Sequence, residues 1–499
     1  MTARRSLAFL ALLAASCTEA PKPIPPVAQS GELVVLTVNG PGTYFEDAQG
    51  LPSGFEYDLA TLFAKELKVR PSFIVIDNPA KIDRALRTGQ AHLAAAALAR
   101  HFDFPGGLAW GPSYFTTQHQ IVGKPTDAKP KSLDDLSGKR IGVIEESVGE
   151  YLLGEQPHLA VPVEHLPPGT STAELLERVD RGELDYALVE STRFTLARRF
   201  FPQLEVAFNV GKPVDYAWLV STVDKKNLLE AAAPFFERIR KDGTLKRLVD
   251  RYYGHALRMN AVDSGTLLER IPEVLPKLKP YFHEAESVSG IDWRLVAAIG
   301  YQESHWDAAA TSPTGVRGLM MLTDETADRL QIKNRLDARE SIVGGARYFA
   351  LLKEALHPRI GEPDRTYLAL AAYNLGLGHL EDARIVAQRG GLNPDVWQDV
   401  RQVIGRLADP DTFGTLKHGY ARGFEAQQLV DNVRNYYDIL VRMEPRETPL
   451  LTAPLGEPPK PAPASPQSPP AATSANPGPA PASVKPGAQA SSKPVSPPR

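Results

Sequence analysis

One glutamate, Glu303, lies where its acid–base chemistry would differ from that of a surface carboxylate. The segment IDWRLVAAIGYQESHWD predicts a helix that Asp292 caps and that ends near Ser304. Leu295, Ile299 and Glu303 recur at four-residue spacing and therefore share one face of this helix. Burial on an apolar face and the negative end of the helix dipole would both raise the pKa of Glu303. Such a carboxyl group is suited to general acid catalysis near neutral pH, although this helix pattern alone more often belongs to a solvated or ion-paired glutamate.

The polar neighbours of Glu303 do not supply a second catalytic group. His305 is predicted to point from a different face of the helix, as a structural or solvent-exposed side chain. Asp307 follows four residues after Glu303 but lies beyond the predicted end of the helix. No cluster of histidine, cysteine, aspartate and glutamate has the spacing of metal ligands. The sequence therefore predicts neither a metal nor a cofactor.

The elements around these residues divide the chain into an α/β part and a helical part. Residues 31–257 alternate short apolar strands with amphipathic helices, whereas helices dominate residues 268–444. Strands are predicted at residues 33–38, 73–76, 140–144 and 186–189, and helices at residues 57–67, 82–86 and 173–179. Apolar strands between amphipathic helices favour mainly parallel sheets that are covered on both faces.

A similar sequence segment occurs twice in the α/β part and indicates two lobes. The sequences RTGQAHLAAAA (residues 87–97) and RGELDYALVE (residues 181–190) each place a glycine at the end of a helix, shortly before an apolar strand. Two similar lobes would leave a ligand cleft between them, at the carboxyl ends of their strands.

The amino terminus has the features of an export signal that leads to the single cysteine. Two arginines precede the apolar residues 7–13, and the small residues 14–16 lead to Cys17. Cys17 resembles the lipid-attachment site of bacterial lipoproteins, with residues 1–17 as the signal peptide; ordinary cleavage beside an incidental cysteine is the alternative. Thr18 after the cysteine, in place of aspartate, implies the periplasmic face of the outer membrane. A membrane partner is therefore expected through a lipid anchor.

Length and composition set further limits. The 499 residues are too many for one ordinary domain, so two or three are expected. The net charge of −3 and the lack of a Lys/Arg run argue against a nucleic-acid partner. Residues 18–30 contain prolines without periodicity and are predicted to be a tether. Residues 453–499 are rich in proline, alanine and serine and are predicted to be a disordered tail.

The helical part resembles the soluble lytic transglycosylase domain, a relative of goose-type lysozyme. Five blocks carry the resemblance in order: ES (residues 303–304), GVRGLMML (315–322), SIVGGARYF (341–349), AAYNLG (371–376) and NVRNYY (432–437). Their order and spacing together make this match specific, unlike any one block alone. The resemblance implies a mainly α, lysozyme-like domain over residues 268–444.

The resemblance assigns roles residue by residue. Glu303 takes the position of the catalytic glutamate, and substrate-binding positions fall on Ser304, Gly318, Met320, Tyr373, Asn374 and Tyr436. Met321 stands where many members have glutamine, so it receives no polar role. The structural alternatives are that Met320 and Met321 are core residues and that Asn374 caps or braces a helix.

The similar enzymes act with one carboxylate on the glycan strands of peptidoglycan. The resemblance implies that Glu303 protonates the oxygen of the β-1,4 bond between N-acetylmuramic acid and N-acetylglucosamine. The muramyl 2-acetamido group stabilises the positive centre, and Glu303 then takes the proton of the C6 hydroxyl, which closes a 1,6-anhydro ring. The implied enzyme is a lyase. A lysozyme-like hydrolase and a non-catalytic peptidoglycan-binding or muropeptide-binding sensor lipoprotein are the alternatives.

Residues 31–257 resemble the periplasmic solute-binding proteins of the amino-acid type. The phrases that carry this resemblance are LPSGFEYDLATLFAKEL (51–67), SLDDLSGKRIGVIEES (132–147) and DGTLKRLVDRYYG (242–254). It implies that Arg100 clamps a ligand carboxylate and that Glu190 holds an amine. The threonine that normally precedes this arginine is absent, so a muropeptide stem and an amino-acid-like ligand are both expected partners, and Arg100 as a surface residue is the structural alternative.

The order of the two domains behind a lipoprotein signal is similar to that of the membrane-bound lytic murein transglycosylase F family. The resemblance extends through the sequence from Asp292 to Thr323 and through GYARGFEA (residues 419–426). It implies that the upstream domain regulates the catalytic one.

Overall fold

The computed structural model of the chain describes residues 22–47, 50–79, 81–100, 107–127, 129–155, 162–312 and 315–445. Cys17 and the tail expected at residues 453–499 lie outside the described residues. The described chain consists of a two-lobed α/β part followed by a helical part, as predicted.

The elements have the following bounds. The strands are β1 (Glu32–Val38), β2 (Phe45–Glu46), β3 (Pro52–Ser53), β4 (Arg70–Ile76), β5 (Leu93–Ala94), β6 (Ala109–Gly123), β7 (Ile141–Ile144), β8 (Val163–Leu166), β9 (Tyr186–Glu190) and β10 (Glu205–Val220). The helices of the α/β part are α1 (Val27–Ser30), α2 (Phe55–Glu66), α3 (Lys81–Arg87), α4 (Val148–Gly154), α5 (Thr172–Asp180), α6 (Ser191–Ala197), α7 (Lys225–Lys241), α8 (Thr244–Val249) and α9 (His255–Leu257). The helices of the helical part are α10 (Ala261–Glu273), α11 (Leu275–Ser289), α12 (Trp293–Ser304), α13 (Asp324–Leu330), α14 (Ala338–Ala355), α15 (Asp364–Leu375), α16 (Leu377–Arg389), α17 (Trp397–Ile404), α18 (Pro410–Phe413) and α19 (Gly423–Met443). A π-helical segment spans Asp250–Gly254.

Among the described residues, eight strands form one mixed sheet in the order β4-β1-β5-β10-β6-β9-β7-β8. β1 pairs in parallel with β4 and β5, and β7 pairs in parallel with β8 and β9. β6 and β10 run antiparallel to each other and to their outer neighbours β9 and β5. The prediction of mainly parallel sheets is therefore correct within each lobe but wrong for the two long strands that join the lobes. The direction of pairing depends on distant residues, which a local apolar pattern does not encode.

Apolar side chains fill separate cores in the two lobes. Phe55, Phe63 and Trp218 are buried together in the first lobe, and Leu175 and Val189 are buried in the second. Each core lies between the sheet and the helices that cover it, as expected for strands that are apolar on both faces.

The predicted tether at residues 18–30 is too long, because its last residues pack on the first lobe. Val27 in α1 is buried, and the Ile24 N–H donates a hydrogen bond of 2.9 Å to the carbonyl oxygen of Gly89. The ring of His92 also lies 3.0 Å from the carbonyl oxygen of Pro25. Residues 24–30 are therefore part of the folded α/β domain.

The helical part is built around α12. Residues 296–301 of this helix are all buried, and α12 packs against α11, α14 and α19. A helix that is enclosed on all sides lies at the centre of its domain. This packing fixes the last turn of α12 relative to three neighbouring helices.

Charged side chains join the α/β part to α19. Asp438 accepts hydrogen bonds from the guanidinium of Arg199 and, at 2.9 Å, from the ring of His255. Asp431 accepts two hydrogen bonds, of 2.7 and 3.1 Å, from the guanidinium of Arg258. Both aspartates lie on the helix that also packs against α12, so the contact between the two parts is one helix away from Glu303.

Candidate active site

Glu303 lies in the last turn of α12. Asp292 caps the start of this helix by accepting a hydrogen bond of 2.9 Å from the Arg294 N–H, and His305 ends it with a φ of 51°. Glu303 is partly buried, one helical turn beyond the completely buried Ile299. Burial raises the pKa of Glu303 to about 8, and no charged group contributes to this shift. Glu303 is therefore mainly protonated at neutral pH, as a general acid requires.

A tight turn at residues 318–321 lies against the end of α12. Gly318 has a φ of 82°, and a Cβ at this position would lie 1.8 Å from the carbonyl oxygen of Arg335. Only glycine fits such a conformation beside another backbone. The Ser304 hydroxyl donates a hydrogen bond of 2.8 Å to the Leu319 carbonyl oxygen. The turn and the residue next to Glu303 therefore hold each other in place.

Met320 belongs to the core of the domain. Its side chain is completely buried, and a Cβ at Gly300 or Gly345 would approach it to 3.1 or 2.7 Å. The substrate contact expected for the Met320 side chain is therefore not possible in this structure, since the side chain does not reach the surface. Met321, the next residue, is partly exposed and has a φ of 46°.

Tyr373 is close enough to Glu303 for the two side chains to interact electrostatically. Burial, reinforced by the charge of Glu303, raises the pKa of Tyr373 well above its ordinary value. Its hydroxyl donates a hydrogen bond of 2.8 Å to the Met320 carbonyl oxygen, and its ring lies 5.4 Å from that of Tyr348. Tyr373 is thus a neutral aromatic side chain near the Glu303 carboxyl group.

The two other residues expected at the site differ in their surroundings. Asn374 is exposed near the end of α15, so its amide is free of the core. Tyr436 is buried on α19, and its ring packs edge-on against Tyr301 with 4.9 Å between centroids. Tyr301 is two residues before Glu303 and therefore lies on a different face of α12. Tyr436 thus braces α12 against α19 on the face that carries Tyr301.

Two polar residues to which the sequence analysis gave no role also hold the turn. The Met320 N–H donates a hydrogen bond of 3.1 Å to the hydroxyl of Ser341, which is completely buried. Arg335 donates a hydrogen bond of 2.8 Å to the Leu322 carbonyl oxygen. A serine in the apolar, glycine-containing block SIVGGARYF was the available signal, because a buried hydroxyl requires a hydrogen-bond partner.

The residues expected to bind a ligand in the α/β part are held by different contacts. Glu190, at the end of β9, accepts hydrogen bonds of 2.6 Å from Arg193 and 2.8 Å from the Tyr216 hydroxyl. Arg100 is exposed, and its backbone N–H donates a hydrogen bond of 2.7 Å to the Asp215 carbonyl oxygen. Glu190 is thus already paired within the protein, which leaves less of its charge for a ligand amine.

Two family profiles match the chain. The profile described as bacterial extracellular solute-binding proteins, family 3, matches residues 33–255. The profile described as transglycosylase SLT domain matches residues 280–392. The second match includes Glu303, the turn at residues 318–321 and Tyr373.

Curated relatives are similar along nearly their whole length. The chain is 46% identical over 438 residues to a membrane-bound lytic murein transglycosylase F from Nitrosospira multiformis, which covers 87% of this chain and 90% of the relative. It is 43% identical over 460 residues to a protein of the same name from Thiobacillus denitrificans. This match covers 91% of this chain and 96% of that relative. The chain belongs to the membrane-bound lytic murein transglycosylase F family. The predicted family, fold class and enzyme class, a peptidoglycan lytic transglycosylase, are confirmed.

Solved structures of binding proteins are similar to part of the chain. A mutant of ArgBP from T. maritima is 20% identical, with 46% of this chain and 97% of that chain covered and a TM-score of 0.41. An ancestral arginine-binding protein bound to arginine is 24% identical, with 45% and 98% covered and a TM-score of 0.40.

Proposed function

We propose that this lytic transglycosylase uses Glu303 as its only acid and base. The observation that carries the proposal is a carboxyl group whose pKa is raised to about 8 by burial alone, beside Tyr373 and the turn at residues 318–321. Such a group is protonated when the reaction begins. Once it has given up its proton, it is basic enough to accept another. One residue can therefore serve both halves of the reaction.

The two proton transfers occur around one anomeric carbon. Glu303 donates its proton to the oxygen that links N-acetylmuramic acid to N-acetylglucosamine, and the bond from that oxygen to C1 breaks. The muramyl 2-acetamido group stabilises the positive charge at C1. The C6 hydroxyl of the same sugar attacks C1 and gives its proton to Glu303. The products are a 1,6-anhydromuramyl end, a free N-acetylglucosamine hydroxyl and the enzyme in its starting state.

The surrounding residues orient the substrate. The exposed Asn374 amide is suited to bind the acetamido group, and the Gly318 backbone and the Ser304 hydroxyl border the same site. Tyr373 is neutral and donates its hydrogen bond to Met320, so it leaves the raised pKa of Glu303 in place. Met320 and Tyr436 contribute indirectly, because their side chains are buried.

The electrostatics of Glu303 disfavour a hydrolase with two carboxylates. Such enzymes hold a second carboxyl within roughly 10 Å of the first. A second negative charge would itself raise the pKa of Glu303, yet burial is the sole cause of the shift. Asp307 is exposed and accepts a hydrogen bond of 2.9 Å from the Ala309 N–H. Burial as the cause of the raised pKa of Glu303, together with the exposed position of Asp307, therefore favours the one-carboxylate mechanism.

Mass spectrometry of purified peptidoglycan after digestion tests the proposal. The full chain should release 1,6-anhydromuropeptides, and the Glu303→Gln variant should release none above background. Asp307→Asn is the matched control and should retain activity. Products with free reducing ends would establish the hydrolase instead. No products from the wild type, with a control enzyme active on the same substrate, would favour the sensor lipoprotein.

We further propose that a ligand in the cleft of the α/β domain regulates the lyase. Arg100 is exposed and suited to a carboxylate, whereas the contact of Glu190 with Arg193 makes a free amine a weaker ligand group. A muropeptide stem fits this charge pattern better than a free amino acid. Addition of muropeptides should change turnover, and Arg100→Ala should abolish the effect while basal activity stays the same. Equal turnover with and without muropeptides would contradict regulation.

Localisation at the periplasmic face of the outer membrane, through a lipid on Cys17, is also proposed. The described residues contain no helix that is long and apolar enough to cross a membrane. Labelling of cells with a fatty-acid analogue should mark the wild type and leave Cys17→Ser unmarked. A wild-type protein without label would contradict the lipid anchor.

A further inference from the structure

Side chains from three helices fix neighbouring main-chain groups of the turn at residues 318–321. Ser304 of α12 donates to the Leu319 carbonyl oxygen at 2.8 Å, and Tyr373 of α15 donates to the Met320 carbonyl oxygen at 2.8 Å. Between them, the Met320 N–H donates to the Ser341 hydroxyl of α14 at 3.1 Å. The peptide group before Met320 is therefore held at both its carbonyl and its N–H, and the peptide group after Met320 is held at its carbonyl.

Ser341 is the member of this set that lies farthest from solvent. It is completely buried near the start of α14, and a Cβ at Gly318 would lie 2.9 Å from its hydroxyl. An unpaired N–H at a site this buried destabilises the fold, so Met320 needs this acceptor.

We propose that Ser341 is a positioning residue for the lyase. It acts through the main chain of Met320 to hold the Tyr373 hydroxyl, and thereby the Tyr373 ring near Glu303. The proposal rests on the assigned role of Glu303. Without the Ser341 hydroxyl, the backbone of Met320 is no longer held at its N–H and shifts to pair this group elsewhere. The shift carries the Met320 carbonyl oxygen, which belongs to the following peptide group, away from the Tyr373 hydroxyl. Either the released hydroxyl or entering water stabilises the Glu303 carboxylate.

The test is the pH dependence of anhydromuropeptide release by full-length Ser341→Ala. We expect kcat to fall roughly 10- to 100-fold with little change in KM, because the reacting groups are misplaced after binding. We also expect the alkaline limb of the rate profile to move to lower pH. A residue that only supports folding would lower the melting temperature but leave this limb in place.

Ser264→Ala provides a matched control. Ser264 of α10 is also completely buried, and its hydroxyl has no hydrogen-bond partner among the described residues. Loss of this hydroxyl should leave both kcat and the alkaline limb unchanged. A Ser341→Ala variant that behaves like Ser264→Ala would overturn the proposal.

A double variant tests whether Ser341 acts through Tyr373. Ser341→Ala combined with Tyr373→Phe should be no slower than Tyr373→Phe alone, whereas multiplied losses would show independent action and overturn the proposal. Ser341→Cys keeps nearly the same volume with a weak acceptor and should give an intermediate shift of the limb. If the alanine variant does not fold, Ser341→Cys takes its place in the test. An alkaline limb at the same pH as in the wild type would then overturn the proposal.

Glu303→Gln separates this proposal from the one it rests on. An active Glu303→Gln enzyme would refute the role of Glu303 itself. An inactive Glu303→Gln enzyme, together with a wild-type profile for Ser341→Ala, would refute only the role of Ser341.

Discussion

The hydroxyl of Tyr373, the tyrosine near Glu303, lies 2.8 Å from the Met320 carbonyl oxygen and donates its hydrogen bond to the main chain. A hydrogen bond from this hydroxyl to Glu303 would stabilise the carboxylate and lower its pKa. Because this hydroxyl is bonded to Met320, it does not offset the burial that raises the pKa of Glu303 to about 8. This relationship connects the position of a buried turn to the acidity of the proposed catalytic group.

Activity should decline in alkaline solution. Glu303 must be protonated to donate a proton to the glycosidic oxygen, and its pKa is about 8. The rate of anhydromuropeptide release, measured from about pH 5 to pH 10, should therefore fall as the pH rises through about 8. A rate that stays constant to pH 10 would rule out Glu303 as the acid.

The Glu303→Gln variant should be more stable than the wild type in alkaline solution. Burial raises the pKa of Glu303 from an ordinary 4.5 to about 8, so the folded state binds this proton more tightly than the unfolded state. The stability that protonated Glu303 provides is complete below about pH 4.5 and is lost as the pH rises to about 8. We expect the variant to gain roughly 5 kcal/mol in the free energy of unfolding relative to the wild type across this range. Denaturant titrations at several pH values would measure it, and a constant difference would contradict the prediction.

Gly318→Ala should disrupt the turn. Gly318 has a φ of 82°, and the added Cβ would lie 1.8 Å from the Arg335 carbonyl oxygen. We expect a loss of more than about 3 kcal/mol in unfolding free energy and loss of anhydromuropeptide release. Gly290→Ala is the control, since Gly290 has a φ of 69° with no atom near its Cβ position. The Gly290→Ala variant should lose about 1 kcal/mol in unfolding free energy, because alanine is strained at a positive φ even without a steric contact. Equal losses for both variants would show that the contact with Arg335 is unimportant.

Asp438→Asn should weaken the contact between the two domains. Arg199 and His255, which donate to Asp438, are both buried, and burial lowers the pKa of Arg199 to about 9. Removing the carboxylate leaves these groups without their negative partner, and we expect a loss of about 2 kcal/mol because Asp438 is itself partly exposed.

Asp83→Asn serves as the control for this charge change. Asp83 pairs with Arg87 one helical turn away on the surface, at 2.8 Å, and its loss should cost less than about 0.5 kcal/mol. Melting curves of both variants would make the comparison, and similar losses would contradict a structural role for Asp438.

The sequence by itself was sufficient for features that neighbouring residues encode. The Asp292 cap and the four-residue spacing place Glu303 at the end of α12, one turn beyond the buried Ile299. The repeated glycines Gly89 and Gly182 indicate the helix ends of the two lobes, and both have positive φ. These features are local because helix caps and helical periodicity involve residues within one or two turns.

Only the tertiary structure decided which distant groups meet. The Met320 main chain finds Ser341 and Tyr373, which are 21 and 53 residues away, and no local pattern specifies such pairs. The antiparallel pairing of β6 with β10, the contact of Glu190 with Tyr216 and the burial of Tyr436 against Tyr301 have the same origin. Each depends on the packing of whole elements, because a buried polar group takes whichever partner the surrounding fold brings to it.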